Sequence, residues 1–164
     1  MDSMRIVLLV ATLLCTLVAG FLVAFSVVVM PGIQTLGDHD FLQAFKRMDR
    51  IIQDNHPVFI VLWLGSVLAL AVSVFLAFGK LQGLNWMVLL FAGGLFLFGV
   101  QVPTVTINIP LNNQLQQQDL GAMQPAALRK ARESFEGRWI RWNIIRTIVA
   151  TLVSVLLLVL LLRL

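Results

Sequence analysis

The chain has 164 residues, 59% of them hydrophobic and only 12% charged, with a formal net charge of +4. A soluble domain carries about twice that share of charge, so a water-soluble fold is excluded. The basic residues flank long apolar runs rather than forming a patch, which removes nucleic acid as a partner.

Four apolar runs lie approximately at 6–30, 57–79, 86–109 and 144–162. A bilayer-crossing helix needs roughly 20 such residues. The runs are continuous rather than alternating, and lipid admits only helices or closed barrels, so each run predicts a helix. Little sequence is left between them. Residues 1–164 therefore read as one integral membrane domain, an all-α bundle of four transmembrane helices.

The first run follows Arg5 and has the opening of a signal peptide. Its apolar stretch continues past Gly20 through FLVAFSVVVM, which is too long for one, so a retained helix is expected. Cys15, the only cysteine, excludes an internal disulfide and a cysteine-rich metal site, and reads as a small apolar filler. Pro31-Gly32 is expected to end this helix. Asp38 then stands as the cap of a new one, in which Phe41, Phe45, Met48 and Ile52 recur at helical spacing. Lys46, Arg47, Arg50 and Gln53 fall on the opposite side. The pattern predicts a short amphipathic helix in loop 31–56, ended by Asp54-Asn55-His56-Pro57.

Residues 79–85, GKLQGLN, form a short helix–helix turn, and Gly93, Gly94 and Gly99 read as close-packing positions in the third span. Gln101, Thr104, Asn108 and Asn112 follow at spacings that put them on one helix face. Pro103 and Pro110 interrupt the backbone bonding there and free the carbonyls of Gly99 and Thr106. Such a stripe serves either as interhelical glue or as the lining of a polar site. A helix starting near Pro125 is expected to run unbroken into the last span. On it, Glu136, Trp139, Asn143 and Arg146 share a face, while Arg138 and Arg141 lie off that face as headgroup contacts. Trp139 and Trp142 read as interfacial belt residues or as walls of a site. Arg146 lies about one turn inside the span, where a charge is costly. It either snorkels or faces inward, with Glu136 or Asp49 as countercharge.

With four spans, both termini and the short turn share one side. Loops 31–56 and 110–142 hold most of the Lys and Arg, which predicts that they are cytoplasmic, with the bacterial inner membrane as the expected location. No Asp, Glu, Lys or His lies mid-span, which argues against an ion pump or proton relay. His39 and His56 are too loosely placed for a metal signal, so no metal site is assigned. His56, at the entrance to the second span, is a candidate general base. No phosphate-binding loop, dinucleotide fingerprint or nucleophile elbow is present.

The stretch GFLVAFSVVVMPG, the amphipathic segment running to NHPVF, VTINIPLNNQL at the end of the third span and RWIRWNIIRT at the start of the fourth occur in that order. Together they resemble the anthrone oxygenase family of small four-helix membrane proteins. Asp49 stands where an asparagine is common in that family. The resemblance implies an oxygenase that converts a planar phenolic, polyketide-like substrate with O2. Because an anthrolate is electron-rich enough to meet O2 directly, no cofactor is required by that chemistry. Such a site needs an apolar slot, donors for an oxyanion and a base. Phe25, Phe41, Phe45, Trp139 and Trp142 are the expected slot. Asn108, Asn112, Asn143 and Arg146 are the expected oxyanion holders, and His56 or Asp49 the base. The partners implied are an apolar aromatic small molecule, O2 and the surrounding lipid, with a homo-oligomer left open. The alternative is a non-catalytic membrane protein, either a binder of a lipid- or quinone-like ligand or a small accessory subunit.

Overall fold

The computed structural model describes residues 2–164, all of whose regular structure is helical. Helix α1 spans Ser3–Gln34, α2 Asp38–Gln53, α3 Pro57–Ala77, α4 Gly83–Gln116 and α5 Pro125–Arg163. A 3-10 turn, Leu120–Ala122, lies between α4 and α5. Helices α1, α3, α4 and α5 are long and apolar enough to cross a membrane. Large apolar side chains such as Leu68, Phe75, Phe98 and Ile148 are exposed on their outer faces, while Leu8, Cys15, Leu89 and Val153 fill the interior. That arrangement suits a bundle solvated by lipid tails.

Helix lengths position the polar end. At ~1.5 Å per residue, α3 reaches about 32 Å, close to the ~30 Å hydrocarbon core. The other three are longer, at 32, 34 and 39 residues, and their surplus gathers at one end. There Gln53 bonds Asn113 at 3.2 Å and Gln116 donates to the Lys46 carbonyl at 2.9 Å. At the opposite end Lys80 meets Asp2 at 3.4 Å and Arg163 meets Asn85 at 3.0 Å. The bundle is thus up-and-down, with both long connections at one end, as the sequence predicts. The unbroken α5 and the amphipathic α2 are also as expected.

Two expectations about helix ends are corrected. Pro31 does not end α1, which continues to Gln34. Asp38 is not the cap of α2: Gly37 takes that position with extended backbone, and Asp38 is the first helical residue. The first correction has a common cause with the prolines of α4. Before Pro31 the Met30 amide bonds back to the Phe25 carbonyl. Before Pro103 the Val102 amide bonds to Leu97, and before Pro110 the Ile109 amide bonds to Thr104. Each bond is one residue longer than the α-helical one, giving a wide π turn. The missing proline donor is absorbed without breaking the helix, and the side chains that follow are re-aimed.

Arg132 fastens the polar end. Its Nε donates to Glu136 at 2.6 Å, Nη1 to the Leu36 carbonyl and to Asp38, and Nη2 to the Gln34 carbonyl. The guanidinium also lies 4.4 Å from the Phe41 ring centroid. One planar fork therefore ties the end of α1 and the start of α2 to α5. Phe41, Phe45, Phe135 and Trp139 stack beneath it as an apolar layer.

Gly99 lets α4 approach α5: a Cβ there would lie 2.7 Å from Val149 Cγ1, whereas one at Gly94 would meet nothing within 4 Å. Gly99→Ala should therefore cost about 1–3 kcal/mol through overpacking, while Gly94→Ala should cost nothing. Thermal unfolding of the two variants in mild detergent measures the difference, and equal midpoints would contradict this packing.

Candidate functional site

At the polar end a cavity of about 130 Å³ opens between α1, α2, α3, α4 and α5. A cavity of about 150 Å³ takes a benzene, so this one encloses about one aromatic ring, and a larger planar molecule would extend through its mouth. One wall is Phe25, Phe45 and Trp139, with Phe45 and Phe25 at 5.1 and 5.8 Å from Trp139 between ring centroids. The aromatic lining continues from Phe25 through Phe21, 5.0 Å away, to Phe59 and Trp63, which stack at 5.5 Å.

Arg146 closes the inner end and is only 3% exposed. Nη1 donates to Thr104 Oγ1 at 2.8 Å and Nη2 to Asn143 Oδ1 at 3.0 Å, and Nε has no partner. Neither Glu136 nor Asp49 supplies the expected countercharge. Glu136 is taken by Arg132 and Gln34, and Asp49 by three amides. Among the described residues Arg146 forms no ion pair, which leaves a positive charge in the lining of the cavity, with Nε buried beneath it. Its two partners are held in turn. Thr104 donates to the Val100 carbonyl, and Asn143 donates to Ser26 at 2.8 Å and to the Leu22 carbonyl at 3.2 Å, beside the wide turn of α1.

Asp49 lies at the α2 side of the cavity, 5% exposed. Oδ1 accepts from Asn112 at 2.7 Å, and Oδ2 accepts from Gln53 at 2.7 Å and Gln116 at 2.8 Å. Burial raises its carboxyl above the ordinary value of 3.8, with the three amides pulling the other way. Asn112 also accepts from Trp139 Nε1 at 2.9 Å, so one amide orients both the carboxylate and the indole. Asn108 lines the cavity with an unpartnered Oδ1 and a long, 3.4 Å bond to the Trp139 carbonyl.

Of the residues singled out from sequence, Asp49, Arg146, Asn108, Asn112, Asn143, Trp139, Phe45 and Phe25 meet in this cavity. His56, Phe41 and Trp142 do not. His56 is exposed at the N-terminus of α3, where Asn55 takes a left-handed turn (φ 59°) into Pro57. Phe41 sits behind the wall, under Arg132 and against Phe135. Trp142 is half-buried on another face of α5. Phe21, Phe59 and Trp63 were missed. Their i,i+4 spacings (Phe21 with Phe25, Phe59 with Trp63) were visible in the sequence, and the buried Ser66 and Ser73, on the same stripe as Phe59 and Trp63, were the signal that could have found the inward face of α3. The described residues include no group of three His, Cys, Asp or Glu side chains placed to share a metal ion.

The two partners of Arg146 predict an asymmetry. Arg146→Met removes a buried charge that balances no other, so unfolding in detergent should be unchanged or occur at higher temperature. Asn143→Leu strands the guanidinium and should cost about 1–3 kcal/mol. A large loss of stability in Arg146→Met would instead mark Arg146 as structural.

A family model described as anthrone oxygenase matches residues 51–156. No curated protein and no solved structure matches the chain. Asn108, Asn112, Trp139, Asn143 and Arg146 fall inside the matched stretch, whereas Asp49, Phe45 and Phe25 precede it. On that match the chain belongs to the anthrone oxygenase family.

Proposed function

We propose that this protein is a membrane-embedded oxygenase for a planar phenolic, polyketide-like ketone of the anthrone type. The observation that carries the reading is a buried guanidinium without a countercharge and a buried carboxylate, both facing one aromatic-walled cavity. The overall change is anthrone plus O2 to anthraquinone plus water. Asp49 takes the proton from the ring carbon between the two aromatic rings, leaving an anthrolate. The oxyanion of that anthrolate lies against Arg146, with Asn108 and Asn112 within the same lining. Its carbanionic carbon gives an electron to O2, the radical and superoxide combine in a new C–O bond, Asp49 returns its proton to the peroxide, and loss of the remaining C–H proton with cleavage of the O–O bond releases water and leaves the second carbonyl. O2 is the oxidant throughout. The aromatic walls hold the rings flat and keep water out, which strengthens each charge interaction inside. His56 has no part in this reading, because it is exposed outside the cavity.

A raised carboxyl pKa makes Asp49 a stronger base than an ordinary aspartate. The sign for activity follows. The active form is the carboxylate, so the rate should fall as pH drops, and the fall should begin above the 3.8 of an unperturbed aspartyl group. O2 consumption by the purified protein with anthrone, corrected for spontaneous oxidation, measures this. Asp49→Asn should remove the acid limb and slow turnover by about 10²-fold or more, and Arg146→Met should slow it by a similar factor. Turnover retained in both folded variants would remove this site. Saturable binding of anthrone with no acceleration of O2 uptake would favour the ligand-binding alternative.

A further inference from the structure

Asp49 sits in a shell of amides whose orientations the neighbouring atoms dictate. An indole N–H can only donate, so the Asn112 atom that Trp139 Nε1 meets at 2.9 Å is Oδ1. That turns Asn112 Nδ2 to Asp49 Oδ1 at 2.7 Å. A backbone carbonyl can only accept, so Gln116 turns Nε2 to the Lys46 carbonyl at 2.9 Å, and the same nitrogen donates to Asp49 Oδ2 at 2.8 Å. Gln53 Nε2 divides its two N–H groups between Asp49 Oδ2 at 2.7 Å and Asn113 Oδ1 at 3.2 Å. Every hydrogen-bond partner of the carboxyl among the described residues is therefore a donor.

A carboxylate offers about four acceptor sites, two on each oxygen. Gln53 and Gln116 fill both on Oδ2, and Asn112 fills one on Oδ1. The fourth, on Oδ1, is left open in a residue that lines the cavity. Such a shell favours the ionised carboxyl and gives the proton of the neutral acid no acceptor. No charged neighbour overrides it. On α2, Lys46 donates to the Gln118 carbonyl and Arg50 lies 4.0 Å from Asp54. Helix α4 brings only uncharged side chains to the cavity, and α1 and α3 only apolar and aromatic ones. Arg146 of α5 is bonded to Thr104 and Asn143.

The geometry points to Asn112 as a positioning residue for the base: locked by the Trp139 indole, it fills one site of Asp49 Oδ1 and directs proton transfer to the other. A proton taken there has no acceptor but the molecule in the cavity, so it is returned to that molecule. The role in turnover rests on the oxygenase reading, but the hold of Asn112 on the ionisation of Asp49 does not.

The infrared carbonyl band of a protonated carboxyl reports that hold without turnover. Followed against pH on the full chain in lipid nanodiscs, and assigned to Asp49 by its loss in Asp49→Asn, it gives the pH at which the base ionises. Removing a donor disfavours the carboxylate, so the midpoint should rise. In Asn112→Leu the rise should be about one pH unit, the scale of one hydrogen bond to a charged group. Trp139→Phe leaves the amide free to turn and should give a smaller rise; it serves if Asn112→Leu folds poorly. Asn108→Leu, one turn away on α4 at a residue bonded to the Trp139 carbonyl rather than to Asp49, should give none. With anthrone, the acid limb of O2 uptake should move with the infrared midpoint. A midpoint unchanged in both Asn112→Leu and Trp139→Phe, or moved equally by Asn108→Leu, would overturn the assignment. The infrared shift without anthrone turnover would support the hold of Asn112 and remove the oxygenase reading. Turnover whose acid limb ignores Asn112 would do the reverse.

Discussion

Arg146 donates to Thr104 and to Asn143 and to no carboxylate among the described residues. A guanidinium inside a membrane bundle costs a few kcal/mol even when it has partners, and it stays charged. Much of the local sequence is explained by holding that charge still and aiming it. Thr104 is presented by the wide turn that precedes Pro110, and Asn143 is braced on Leu22 and Ser26 beside the wide turn that precedes Pro31. The prolines are therefore part of the site. They shift the helix register by one residue where α1 and α4 pass the arginine.

Asp49 reaches the same cavity by a different route. It stands on an amphipathic helix outside the bundle proper, and only the anchorage of that helix brings it in. Arg132 fixes the helix start, and the amides of Gln53, Asn112 and Gln116 fix the carboxylate. The positive end of the cavity is thus built into the bundle and the negative end onto a lid-like layer over it. That separation keeps the two charges from neutralising each other as an ion pair.

The spans, the amphipathic α2 and the unbroken α5 were legible because each has a periodicity or a length that one structure satisfies. Asn108, Asn112, Asn143 and Arg146 were legible for a related reason: polar residues at helical spacing near a span's end must share a face, and only an inward face satisfies them. The aromatic residues were harder. Helix α3 has only two polar marks, Ser66 and Ser73, both buried, and Phe59 and Trp63 continue their stripe at helical spacing, a weak sign of rotation that the apolar bulk of the helix hides. Phe41 and Phe45 share the buried face of α2, yet only Phe45 reaches the cavity, because Arg132 covers Phe41. The role of Arg132 depends on carbonyls of α1 and the α1–α2 turn, nearly a hundred residues away, and no local pattern reveals it.

The account rests on Arg146 facing the cavity as a cation that a ligand oxyanion can meet. A 1-hydroxyanthraquinone reports this directly, since its visible absorption shifts to longer wavelength when the phenol ionises. Bound to the protein in nanodiscs, it should ionise at a lower pH than in protein-free nanodiscs of the same lipid, and the difference should vanish in Arg146→Gln. A bound dye that ionises at the same pH as in lipid alone, or a shift that survives Arg146→Gln, would contradict an anion-binding role for Arg146.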